Sequence, residues 1–394
     1  MYGSNVEASA GIGQLSSGGP FTGSATYINQ LVNQSPSFSF PKPFQSSATT
    51  PTQTAGAVDP HMTIPYLLQW NLTVEQQLGS SASVKVAYVG SASRNLLENV
   101  NLDQPMPGTA PFSVSELAYP NYNAVEWMQN GGVDNYNSLQ VSFSKNTGHN
   151  LYVDTGLTFA KDLTDEQDLG SAAGQAPENR FCIGCDYGHN GLSRRLDYYL
   201  NTRYMLPVGR GRKFLGDVNR LTDNFVGGWT VSADGSMYSG PFFSPYVNSG
   251  YDTANTNTSF DQRADLVGNP KVAHQTVTNW FNVNAFAIPG CSASDPLCAN
   301  STPVDVGRFG DVKPGSLVGP KFINYDFSLM KDFHVIGEKT FQIRMTAQNV
   351  FNHPNFEVPD WNVTDGAGVA GVITALAGAS LGPREIDIVG RFSF

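Results

Sequence analysis

From Pro65 onward, apolar and polar residues alternate with a period of two, the signature of strands with one apolar face. The alternation predicts strands over roughly 65–78, 82–97, 134–146, 150–163, 192–206, 228–240, 321–333, 339–352 and 384–394. Most run ten residues or more. Strands of globular proteins average about five or six, whereas a tilted strand needs about 9–11 to cross a membrane.

One face of these segments is greasy. It carries Leu68, Trp70, Leu72 and Val74, then Leu151, Val153, Leu157 and Phe159, then Phe341, Ile343, Met345 and Ala347. The opposite face carries Glu75, Lys85, Asp154, Asp197, Arg203, Asp234, Asp326, Arg344, Glu385, Asp387 and Arg391. No charge falls mid-strand on the apolar face. Lys331, near one strand end, comes closest, and from there it is placed to snorkel to lipid headgroups. Glu75, Asp197, Arg203, Asp326, Arg344, Asp387 and Arg391 are therefore candidate lumen charges. They either line a solute path or pair with one another to hold the wall.

The connections cover residues 79–81, 98–133, 147–149, 164–191, 207–227, 241–320, 334–338 and 353–383. They alternate short and long. Outer-membrane barrels sort their connections this way, with tight periplasmic turns and long extracellular loops. Segment 121–131 reads as an extra extracellular hairpin arm that keeps the parity. A soluble sandwich also alternates its faces but has no reason to sort loops by parity. The predicted fold is all-β, a portion of an antiparallel transmembrane β-barrel with about nine or ten long strands. Aromatics near strand ends (Tyr204, Trp229, Phe333, Phe351) suit interface girdles.

Composition agrees. Charged residues are 14% of the chain, and Gly (40) and Pro (24) are plentiful, which favours turns over helices. The net charge of −10 argues against nucleic acid, which calls for a basic surface. No apolar run is long enough for a transmembrane helix. The start, MYGSNVEASAGIGQLSSGG, lacks the basic and apolar regions of a signal peptide. Residues 1–60, rich in Ser, Gly, Thr, Asn and Pro, read as a loop or disordered arm.

Four cysteines fall in two close pairs, Cys182/Cys185 and Cys291/Cys298, in stretches that read as loops. They are candidate disulfides of an oxidising compartment; a zinc site is the sharper alternative, but no His stands at ligand spacing. Catalytic signatures such as GxSxG, HExxH and a phosphate loop are absent, so no enzyme, cofactor or metal is expected. GRGR at 209–212 reads as a basic turn. Asp162, Asp165, Glu166 and Asp168 cluster in one loop without the ligand order of a Ca²⁺ site.

The chain ends REIDIVGRFSF, with Ile386, Ile388, Phe392 and Phe394 on one face. Such an ending resembles the C-terminal signal by which outer-membrane barrels are recognised for assembly, an exposed strand edge that another strand can extend. Further stretches resemble, in order, the barrel of the Oar-like TonB-dependent transporters of Gram-negative outer membranes. They are PYLLQWNLTVEQQLGSSASVKVAYVGSASRNLL (65–97), NYNSLQVSFSK (135–145), LPVGRGRKFLG (206–216), VGGWTVSADGSMYSGPFFSP (226–245), NWFNVNAFAIPG (279–290), INYDFSLMKDF (323–333) and FQIRMTAQNVFNHPNFEVP (341–359).

The resemblance implies a barrel of about 22 strands with a plug in its lumen and a segment that engages TonB. This chain looks like the C-terminal part of such a barrel, over residues 61–394, without plug or TonB-contacting segment. The implied role is channel wall plus extracellular loops that capture an unknown solute in the cell outer membrane. Implied partners are outer-membrane lipid, the barrel-assembly machinery through the last strand, and TonB only through the missing N-terminal parts. The alternative is a secreted or surface-exposed β-rich adhesion protein that uses loops 98–133 and 241–320. Because a sheet edge in lipid is not tolerated, the expectation is a curved open sheet, or a small forced barrel, that further strands complete.

Overall fold

The computed structural model describes residues 31–32, 35–36 and 53–394, apart from 121, 149, 166–176, 249–250, 258–259, 302–306, 335–338 and 378–381. Most of the expected N-terminal arm, together with Glu166 and Asp168, lies outside the described residues.

Nine long strands carry the fold: β1 Tyr66–Leu78, β2 Ala82–Asn101, β3 Tyr122–Asn146, β4 Leu151–Thr164, β5 Leu196–Met205, β6 Trp229–Tyr238, β7 Phe322–His334, β8 Thr340–Gln348 and β9 Glu385–Ser393. Each pairs antiparallel with the next, in one meander. The sheet does not close; β1 and β9 are its edges. Among the described residues, one short α-helix, α1 (Arg220–Val226), is present, and no helix is long and apolar enough to cross a membrane.

Register makes the two faces continuous. Leu72, Tyr88, Leu139 and Phe159 stand opposite one another across β1–β4. Tyr204, Val231, Leu329, Met345 and Ile388 do the same across β5–β9. The other face aligns Asp154, Asn201, Asp234 and Asp326. A one-residue slip would turn every one of these side chains over, so pattern and register support each other. Most of the apolar face is open among the described residues: Leu72 is 70% exposed, Ile388 73% and Ile343 37%. A sandwich would bury these residues against a second sheet. Trp229, Phe333, Phe341 and Phe392 gather near the short-turn end of this face. Tyr66, Phe159, Tyr198 and Tyr325 lie toward the long-loop end. These are the two girdles expected at the boundaries of an apolar band.

Three features differ from the sequence reading. First, 122–131 is no separate hairpin arm. It continues β3, pairing with Leu96–Asn101 on one side and in parallel with Gln53–Val58 on the other. The two neighbours satisfy its backbone groups, and register shifts around Leu96 absorb Asn95, which sits in the left-handed region at φ 56°. At about 3.4 Å per residue, β3 is too long to lie wholly within a bilayer and rises past it.

Second, Lys331 does not snorkel to headgroups. It is 3% exposed, and its ammonium donates to the Gly227 carbonyl and lies over the Trp229 and Phe333 rings. The turn between β5 and β6 has folded over it. In that turn Gly209–Arg212 form a tight bend whose Arg210 N–H donates to Asp223 Oδ1 at 2.6 Å. Asn219 caps α1 a few residues later. Third, Arg203, Arg344 and Arg391 make no ion pair among the described residues. Asp387 instead accepts from Gln348 Nε2 at 3.2 Å, and Asp326 from the Asn349 N–H at 2.9 Å.

Arg in place of Leu139, mid-strand on the apolar face, is expected to cost about 2–4 kcal/mol of stability in lipid. Gln140→Arg, on the polar face beside it, is expected to cost little. Urea titration of the chain refolded into lipid vesicles reads both. An L139R variant as stable as Q140R would mean that no hydrocarbon meets this row.

Candidate functional site

Four connections, residues 102–121, 165–195, 239–321 and 349–384, leave one end of the sheet, here called the long-loop end; 79–81, 147–150, 206–228 and 335–339 leave the other. The third is a folded unit. Phe243, Val247, Ala264, Phe281, Ala285, Phe286, Ala287, Ile288, Cys291 and Val312 form one buried cluster, joined by Val363 from the fourth connection. Its rings interlock: Phe243 lies 5.6 Å from Trp361, and Phe281 meets Phe286 edge-on at 5.6 Å. Two-residue ladders stitch it together, pairing Tyr246–Val247 with Gln262–Arg263 and Asp265–Leu266 with Phe286–Ala287. Arg308 closes two hydrogen bonds on Asp265, at 2.7 and 2.5 Å, and Cys291 is bonded to Cys298 at its edge.

One guanidinium ties this unit to its neighbours. Arg263 Nε donates to Glu178 Oε2 at 2.5 Å, and its own N–H donates to Oε1 at 2.5 Å. Its Nη1 donates to the Cys185 carbonyl at 2.6 Å, and Nη2 lies 3.2 Å from Asp186 Oδ1. The turn that presents Cys185 and Asp186, a 3-10 turn over Ile183–Asp186, is pinned by the Cys182–Cys185 disulfide. From the first connection, Gln104 donates to the Glu178 carbonyl and accepts from the Arg180 N–H, both at 2.8 Å. The charge-assisted bonds of Arg263 are of the strong kind and join the second and third connections, and the neutral amide bonds of Gln104 tie the first to the same point.

Beneath the clamp lies a cavity of about 570 Å³. It is lined by the rings of Phe242, Phe243, Tyr246, Phe260 and Trp361 and by the carboxyl groups of Asp165, Glu178, Asp186 and Asp261. Burial pushes the carboxyl groups of Glu178 and Asp186 above the usual range, with Arg263 opposing the shift. Burial likewise raises Asp165, against the Val133 N–H that donates to it. His189 stacks flat on Phe242 at 4.1 Å. Burial and the nearby charges of Arg195 and Lys161 hold its imidazole below the usual range, so it is neutral at neutral pH.

The candidate lumen charges lie elsewhere. Glu75, Asp197, Arg203, Asp326, Arg344, Asp387 and Arg391 are spread over the polar face of β1, β5, β7, β8 and β9, and none lines the cavity. Ile386, Ile388 and Phe392 are exposed on the apolar face of the β9 edge, and Phe394 just beyond it is 95% exposed. No group of His, Cys, Asp and Glu among the described residues gathers to hold a metal ion. Sequence reasoning missed Glu178, Asp186 and Arg263. The one signal for them was the apolar density of 279–290 inside a supposed loop, which announces a core and hence fixed neighbours.

Over residues 1–387 the chain matches the family model described as outer membrane beta barrel domain. Among solved structures it is similar to the outer membrane transporter YddB from Escherichia coli, at 9% identity and a TM-score of 0.43, with 87% of this chain covering 34% of that one. It is also similar to the pyoverdine outer membrane receptor FpvA from Pseudomonas aeruginosa (11%, 0.37, 84% and 30%). A third is the ferric-catecholate import receptor Fiu from E. coli (10%, 0.37, 84% and 28%). The chain spans about a third of the length of these proteins. No curated protein matches it.

Replacing Arg263 by Met leaves Glu178 and Asp186 buried without their countercharge, and the expected cost is about 3–5 kcal/mol of local stability. Hydrogen exchange reads it. Faster exchange is expected over 177–193 and 260–290, with β6–β9 unchanged; unchanged exchange at 177–193 would mean that the clamp does not hold the connections together.

Proposed function

We propose, because the chain belongs to the outer membrane beta barrel domain family, that it forms part of the wall of an outer-membrane transporter and that its loops capture the solute. A domain of this family resides in the outer membrane, where the apolar face of the sheet meets lipid. The observation that carries the capture role is the clamped cavity at the long-loop end. Rigid walls, an aromatic lining and a few convergent polar groups are what a small-molecule site needs. The long connections are then extracellular and the short turns periplasmic. Binding and passage, not catalysis, is the role.

The ordered motifs between 65 and 359 support a TonB-dependent transporter of the Oar-like kind. Topology supports further strands. Nine alternating strands leave β1 and β9 running in the same direction. Closing them on each other would force a parallel pair, whereas an odd number of added strands completes an all-antiparallel ring. Such a ring also removes the two edges, which hydrocarbon does not tolerate. Before closure, the exposed edge and apolar side chains of β9, with Phe394, offer the barrel-assembly machinery a strand to pair with. Contact with TonB falls to segments other than these nine strands.

In cells expressing the intact gene, the protein is expected in the outer-membrane fraction, extractable only by detergent and heat-modifiable on gels. Protease added to intact cells is expected to cut within 239–321 and to spare β1–β9. Recovery in the soluble periplasm, or cleavage only after the outer membrane is permeabilised, would overturn the proposal.

A further inference from the structure

The cavity at the long-loop end brings two chemistries together in its lining. Its aromatic residues Tyr246, Phe260 and Trp361 come from the third and fourth connections at that end. The same lining holds four carboxyl groups, Asp165, Glu178, Asp186 and Asp261. The cation in the lining is Arg263, and its Nε, Nη1 and Nη2 are already turned to Glu178, the Cys185 carbonyl and Asp186. It is spent on the clamp and is not offered to an incoming anion. His189, the other basic side chain of the lining, is neutral at neutral pH. Among the lining residues alone the formal balance is four negative charges against one positive; Arg195, over the Phe242 ring, and Lys161 lie outside the lining.

We infer that this cavity binds an organic cation, a solute joining a positively charged nitrogen to an apolar, ring-bearing body. The inference rests on the capture role proposed above and names the class of solute captured. Two forces act together. The carboxylate surplus lowers the potential inside a partly desolvated cavity, where charges interact more strongly than in water. Aromatic faces attract cations through their quadrupoles and cover the apolar body. An anionic solute meets the same surplus as repulsion. The chain's net charge of −10 adds a longer-range field that concentrates cations near its surface.

The test uses the full chain in neutral detergent with three probes of similar size: benzyltrimethylammonium, neutral benzyl alcohol and anionic phenylacetate. Binding is followed by titration calorimetry and by tryptophan fluorescence. The cation is expected to bind at least about tenfold more tightly than either other probe, a difference of one decade in affinity. Its advantage is expected to shrink as salt is raised. The double variant Asp165→Asn/Asp261→Asn removes two charges and leaves the Arg263 clamp intact. It is expected to lose about tenfold in affinity for the cation, while Glu75→Gln, on the sheet far from the cavity, changes nothing. Should the double variant lose the parent's protease pattern, Asp261→Asn alone carries the comparison. Equal binding of the neutral probe, preference for the anion, or full cation affinity in a folded Asp261→Asn variant overturns the inference. A cation-blind cavity in a surface-exposed, detergent-extracted barrel overturns this inference alone. A chain that binds the cation but proves soluble overturns the transporter reading alone.

Discussion

Hydrocarbon offers no hydrogen-bond partner, and the rest of this structure follows from that fact. Inside a bilayer every backbone N–H and C=O has to pair within the protein, and a charge facing lipid at mid-depth is costly. The meander from β1 to β9 meets both demands across its width: each inner strand is paired on both sides, and one face is greasy from Leu72 to Ile388. Only the outer edges of β1 and β9 fall short. All thirteen residues of β1, Tyr66–Leu78, are exposed at that open edge.

The membrane requirement fixes little about what the protein handles. The apolar band needs only bulk and greasiness, and the polar face needs only groups that water accepts. Specific geometry is concentrated where the strands end. There the long connections build a buried core, two disulfides and a guanidinium clamp. A flexible loop would pay its ordering entropy at the moment of binding. Connections held by Arg263 and Gln104 are already ordered, which is the condition for a preformed site.

How much of this was legible in the sequence follows from the range of the interactions. A period of two is local, so all nine strands could be located from alternation, with ends a few residues adrift. The upward continuation of β3 was not legible, because it depends on partners at Leu96–Asn101 and at Gln53–Val58, both far off in sequence. Lys331 was misjudged for the same reason: its shelter comes from Gly227, 104 residues away. The clamp joins Arg263 to Glu178 across 85 residues, and no spacing rule connects them. The charges at Glu75, Asp197, Arg203, Asp326, Arg344, Asp387 and Arg391 were legible as sharing the polar face, because alternation sets facing, but not as partners, because pairing across strands depends on exact register and reach.

The central claim is that lipid touches the face carrying Leu72, Ile343 and Ile388, while water touches the face carrying Glu75, Arg344 and Asp387. The most direct measurement attaches a nitroxide at each of these six positions in turn, through a single cysteine with the native four replaced, and reconstitutes the intact protein in bilayers. Collision with dissolved oxygen reports lipid, and collision with a water-soluble nickel chelate reports water. The account predicts oxygen-dominated relaxation at 72, 343 and 388 and nickel-dominated relaxation at 75, 344 and 387. The same accessibility on both faces, or the reverse order, would contradict it.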